Sequence, residues 1–184
     1  MDVAVVCGGA RYYGNPDKCY RFTNGAWEEF LTMEKKRTDA AGVVYNKKLH
    51  VFGGYRSGRL QTSETINVDG EVSDGPDLPT AVMYHAMTKI NGTVSLLSGG
   101  NSYSAKTWYY NHDTEAFTSG PDLLEGRRLH GSAINVDKVT KSKIVVLTGG
   151  YNYPNYMDST EMLINGQWQT GTIQCRKQKC FDFL

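Results

Sequence analysis

Long apolar runs are missing from this sequence. Nowhere do about 18 consecutive apolar residues occur, which excludes a membrane-spanning helix. A charge of one sign is missing as well: 20 Lys and Arg face 19 Asp and Glu, for a formal net charge of +1. That balance excludes binding to nucleic acid or an anionic membrane through bulk charge, so neither is expected as a partner. No P-loop, no G-x-S-x-G elbow, no H-E-x-x-H pair and no suitably spaced pair of carboxylates is present. Without them the chain is not expected to be an enzyme, and no catalytic residue, cofactor or metal ligand is assigned. Cysteine is scarce, and Cys7, Cys19, Cys175 and Cys180 form no C-x-x-C pair. With no histidines nearby they make a poor zinc set. Four reduced thiols are expected, with a redox role for Cys175 and Cys180 as the lesser alternative. Met1-Asp2-Val3 lacks the basic and apolar regions of a signal peptide, so a cytoplasmic location is expected. Helical periodicity is absent. Proline is sparse, at five residues, whereas 20 glycines and 12 tyrosines suit short strands joined by tight turns.

What is present is a repeat. Gly8-Gly9, Gly53-Gly54, Gly99-Gly100 and Gly149-Gly150 recur at steps of 45, 46 and 50 residues. Each pair ends an apolar run: Val3–Cys7, Leu49–Phe52, Val94–Ser98 and Ile144–Thr148. Sixteen residues after the second glycine of three pairs stand Gly25, Gly70 and Gly166, each behind Asn24, Asp69 or Asn165. Asn-Gly and Asp-Gly predict type I′ hairpins. The third unit has Glu115-Ala116 instead, so the reversal is expected at Asn111-His112-Asp113. Asn91-Gly92-Thr93 is also read as a turn rather than a glycosylation site. Two residues past the turn come Trp27, Val72 and Trp168, with Phe117 in the third unit, and a tryptophan there is expected to anchor the core.

A second register repeats Gly75-Pro76-Asp77-Leu78 as Gly120-Pro121-Asp122-Leu123, and seven residues after each leucine stand His85 and His130. Their equivalence predicts structural roles at strand starts. His50 reads as a core or edge residue and His112 as a turn residue. Each unit then contains four short antiparallel strands: an inner strand, the run before Gly-Gly, and two more around the turn. Self-similarity at this period means radially stacked sheets, so the fold class is all-β, with β-propeller blades of four strands. The units are about 1–37, 38–83, 84–128 and 129–170, followed by a tail, 171–184.

Hydrophobic run, double glycine, aromatic strand, small turn, tryptophan, then proline-leucine: over residues 3–170 this order resembles the kelch repeat. The chain departs from it at Val72 and Phe117. The resemblance implies about 3.75 kelch blades, an incomplete ring, because the first unit opens directly on Val3 without its inner strand. Open blade edges then allow self-association, and Cys180–Leu184 is a candidate closing strand. Kelch proteins are protein-binding modules, some serving as substrate receptors of ubiquitin ligases and others binding actin. Both are expectations here, beside a sugar-active kelch enzyme and a truncated fragment without independent function. The galactose oxidase-like members need a tyrosine–cysteine crosslink and copper-binding histidines, and no residues here match that set.

Binding is expected at the loops after each glycine pair, where Tyr, Arg, Asn, Ser and Gly dominate. The candidate ligand-binding residues are Arg11, Tyr12, Tyr55, Arg56, Asn101, Tyr103, Tyr151, Tyr153 and Arg128. Arginine forks there suit the acidic groups of a partner protein or peptide. The connections bearing Arg37, Tyr84, Arg127 and Arg128 are expected on the same face. For Arg127 and Arg128 a basic patch, a solvated loop and stacking on a neighbouring aromatic all remain open. The run Glu34–Arg37 is expected to be solvated.

Overall fold

The computed structural model describes residues 4–9, 16–136 and 142–171, and these residues contain no helix. Arg11, Tyr12, Cys175, Cys180 and the candidate closing strand lie outside the described residues. The chain divides into two compact units, Met1–Met83 and Tyr84–Leu184.

The first unit holds two sheets. β1 (Val5–Cys7), β2 (Lys18–Thr23) and β3 (Ala26–Thr32) form a three-stranded antiparallel sheet in chain order. β4 (Ala41–Tyr45), β5 (Lys48–Phe52), β6 (Ser63–Ile66) and β7 (Val72–Asp74) form a four-stranded one. Asn24 and Gly25 both take positive φ, as a type I′ turn demands. Asp69 does not. The Asn67 carboxamide oxygen instead accepts the Asp69 and Glu71 N–H groups, and Gly70 alone takes positive φ. A side-chain acceptor thus replaces the second left-handed residue. Cys19, Met33, Val51 and Ile66 make the shared core of the two sheets.

The second unit repeats the plan. β8 (Ala86–Lys89), β9 (Val94–Ser98), β10 (Thr107–Asn111) and β11 (Ala116–Ser119) pair in order. β12 (Gly131–Val136), β13 (Lys143–Thr148), β16 (Thr160–Ile164) and β17 (Gln167–Thr170) form the last four-stranded sheet. Between its middle strands, β14 (Tyr151–Asn152) and β15 (Asn155–Tyr156) make a separate two-stranded ribbon. The Asn165-Gly166 turn has the expected positive φ at both residues. At the third turn, Glu115 is the left-handed residue and the Asn111 side chain accepts the Asp113 and Thr114 N–H groups. Asn91 likewise accepts from Thr93 and Val94, so its turn is of this kind rather than type I′. Leu96, Leu123, Val145, Leu147, Leu163 and Trp168 form the core, and Trp168 Nε1 donates to the Pro121 carbonyl at 3.0 Å.

Three expectations need correction. Trp27, which occupies the register of Trp168, is 52% exposed and packs on Phe22 with ring centroids 5.3 Å apart. Val6, Tyr20 and Phe22, which share its side of the first sheet, are exposed too, so among the described residues this face forms no core. Cys7 and Cys19 are a disulfide rather than thiols, because the β1–β2 register sets them directly opposite with Cα atoms 4.0 Å apart. This removes reduced thiols as an argument for a cytoplasmic location.

The third correction concerns the Glu34–Arg37 run. Arg37 is buried, and its guanidinium reaches Glu64 Oε1 at 2.9 Å, the Gly53 and Thr62 carbonyls, and the Thr62 hydroxyl. Glu64 also accepts the backbone N–H groups of Glu34 and Lys35. The charge run is therefore pinned to β6 by its last residue. Arg127 repeats the arrangement with Glu161 at 2.6 Å, the Gly149 and Ser159 carbonyls, and the Ser159 hydroxyl, while Glu161 accepts from Leu124 and Glu125. Both pairs are fully desolvated and hydrogen-bonded, the condition under which buried ions persist.

Candidate functional site

The Arg127 clamp fixes the loop 124–128 against the ends of β13 and β16, and in doing so places its neighbour. Arg128 exchanges two backbone hydrogen bonds with Tyr151, of 3.2 and 2.8 Å. That approach needs Gly150, where an added Cβ would stand 2.8 Å from the Arg128 carbonyl. At Gly126, similarly, a side chain would run into the Tyr103 carbonyl. Two glycines thus let three loops converge at one point.

Three aromatic rings meet there. The Arg128 guanidinium lies 5.2 Å from the Tyr84 ring, 5.0 Å from Tyr103 and 5.2 Å from Tyr151. Tyr103 and Tyr151 contact each other edge-on at 5.8 Å, and Tyr156 continues the row 5.1 Å from Tyr151. Tyr84 and Tyr103 both take positive φ, near 60°. At Tyr84 this conformation belongs to the repeat, because Asp39 and Leu129 at the same register share it. Each ring face is worth about 0.5–2 kcal/mol to a cation, depending on desolvation.

The electrostatics are one-sided. Among the described residues no carboxylate pairs with Arg128, and its Nε is buried without a hydrogen-bond partner. Arg127 next to it is paired with Glu161, whereas the described side chains around the Arg128 guanidinium are three tyrosine rings. Burial and the neighbouring tyrosines push the Tyr151 hydroxyl above its ordinary range, opposed by the Arg128 cation. The Tyr151 ring stays neutral beside the arginine.

Of the sequence-derived site residues, Tyr103, Tyr151 and Arg128 come together here. Tyr153 is close in sequence, 72% exposed at the tip of the β14–β15 ribbon. Asn101 is half-buried in the loop that carries Tyr103. Tyr55 and Arg56 belong to the first unit, where Tyr55 bridges Thr38 and Arg59 through the backbone and Arg56 is exposed. At the register of Arg128 the first unit carries Thr38, so no equivalent cage forms. Arg127 is not part of a basic patch but of the buried clamp. Arg128 realises the stacking alternative. Tyr84 and Tyr156 were absent from the candidate residues although both stand beside them in the loops. The acidic halves of the clamps were missed as well. Their signal is a shared Ser/Thr-Ser/Thr-Glu segment, Thr62-Ser63-Glu64 and Ser159-Thr160-Glu161.

The histidines are structural in placement. All four are buried. His130 Nε2 meets Ser98 Oγ at 2.9 Å, and His112, a turn residue as expected, has its ring buried with Nε2 on Ser95 Oγ at 2.8 Å. Burial lowers His85 to about 4, and burial with the Arg127 charge lowers His130 to about 3, so both rings are neutral at pH 7. No protein-family model matches the chain, and no curated protein matches it.

Proposed function

We propose that this chain is a kelch-type β-propeller segment that binds a partner protein, and that Arg128 receives an acidic side chain of that partner. The observation that carries the reading is an arginine held among three tyrosine rings with no carboxylate partner among the described residues. A guanidinium so placed retains a fork of N–H donors matched to a carboxylate. Its rings add rigid contact area and restrict competing water, which is the composition of an interface anchor. The loop is held from behind by the Arg127–Glu161 clamp, so the donor group is pre-positioned rather than ordered on binding. The repeated glycine pairs and the four-stranded sheets support the kelch-type assignment.

Selection of displayed random peptides on the full chain tests this. Bound sequences should be enriched in Asp and Glu. Arg128→Ala should abolish that enrichment, while Arg128→Lys, which keeps the charge but loses the planar fork, should weaken it. If the Arg128→Ala chain selects the same peptides, the assignment is wrong.

A further inference from the structure

Beside the arginine cage lies a cavity of about 280 Å³ in the same unit. Its walls include the carboxylates of Glu125 and Asp158, the amides of Asn152 and Asn155, and the rings of Tyr153 and Tyr156. Among the described residues no lysine, arginine or histidine lines it. Glu125 and Asp158 are exposed, and the contact to Glu125 is a long one, 3.5 Å from Asn152 Nδ2. Tyr153 and Tyr156 are 72% and 81% exposed, so their ring faces are open to a ligand. Two carboxylate residues and two exposed tyrosines around one cavity combine the two attractions that a cationic side chain meets, ion pairing and cation–π contact.

The cavity and the cage are joined. Glu125 stands three residues before Arg128 on the loop held by the clamp, and the Glu125 N–H is itself bonded to Glu161. Ring contacts of 5.2 and 5.1 Å lead from the Arg128 guanidinium through Tyr151 to Tyr156, which lines the cavity. Side chains two or three residues apart on an extended peptide are separated by about 7–10 Å, and a local twist brings the wider pair to one side. That separation is comparable to the two ring contacts that link the cage to Tyr156.

Resting on the reading of Arg128 above, we propose that the partner segment is bipolar: an acidic side chain enters the tyrosine cage at Arg128, and a lysine or arginine two or three residues away enters the Glu125–Asp158 cavity. Opposite charges at fixed separation select partners more sharply than either alone, because a peptide with the two reversed sets like charges against each other.

The test uses blocked peptides of the form Ser-Glu-Gly-Lys-Ser and Ser-Glu-Gly-Gly-Lys-Ser, titrated into the full chain at low salt. Parallel peptides replace Glu by Gln, Lys by norleucine, or exchange the two. Replacing Lys should weaken binding about tenfold. In the Glu125→Gln/Asp158→Asn chain, whose near-UV circular dichroism should match the parent because both residues are exposed, the Lys and norleucine peptides should bind alike. If norleucine binds as well as Lys while Gln weakens binding, the bipolar proposal fails and the Arg128 reading stands. If Gln binds as well as Glu while norleucine weakens binding, the Arg128 reading fails and the paired site with it. Binding by none of the peptides overturns both.

Discussion

Single residues in this chain are decided by what surrounds them rather than by type. Arg127 and Arg128 are adjacent and chemically identical. One is buried against Glu161, and the other stands among tyrosine rings without a counter-charge among the described residues. The first holds a loop and the second is free to act. His85 and His130 show the same dependence. Their folded values, about 4 and about 3, lie below the ordinary 6.5. Over the interval between them the unfolded chain binds more protons than the folded one. Their contribution to stability is therefore complete above about pH 6.5 and is lost as pH falls toward 4, and for His130 toward 3. Urea unfolding should show a lower midpoint at pH 5 than at pH 7. In a His85→Leu chain that difference should shrink, and an unchanged difference would assign the acid sensitivity elsewhere.

Strands and turns follow local chemistry where the required conformation is a backbone property. Asn24-Gly25 and Asn165-Gly166 adopt the left-handed pair their sequence demands. Asp69-Gly70 does not, because Asn67 offers its side-chain oxygen to the same turn and relieves one residue of positive φ. That competitor stands two residues upstream and is invisible to a dipeptide rule. Burial is less legible still. Trp27 and Trp168 occupy the same register, two residues past an Asn-Gly turn. Trp168 is 6% exposed with its indole N–H on Pro121, and Trp27 is 52% exposed. Trp168→Ala should cost about 3–5 kcal/mol in denaturant unfolding, as for other buried tryptophans, and Trp27→Ala should stay within about 0.5 kcal/mol. Equal losses would mean that the face bearing Trp27 is covered in solution.

At the scale of the whole molecule, the array carries one arginine–glutamate clamp in each unit. Arg37 and Arg127 lie 90 residues apart, and midway between them the same register carries Val82, buried and apolar. Removing one partner of a buried pair strands the other and costs about 3–5 kcal/mol, whereas replacing both with apolar residues costs far less. In Glu64→Gln, amide hydrogen exchange should quicken in β4–β7. In Glu161→Gln it should quicken in β12, β13, β16 and β17 and in the loop 124–128. The Arg127→Met/Glu161→Met double variant should recover much of the protection. If Glu161→Gln leaves exchange in that loop unchanged, the clamp does not position Arg128.

The sequence by itself determined the repeat and the antiparallel four-stranded sheets. These depend on spacing and on local backbone preference, both of which a linear chain displays. Only the tertiary structure decided which arginine is neutralised, that Cys7 meets Cys19, and that Tyr84, Tyr103 and Tyr151 converge on Arg128. Each of these depends on strands and loops far apart in the chain being brought within a few ångströms. Strand register and the glycines at Gly126 and Gly150 set those approaches, and a repeat pattern alone does not carry them.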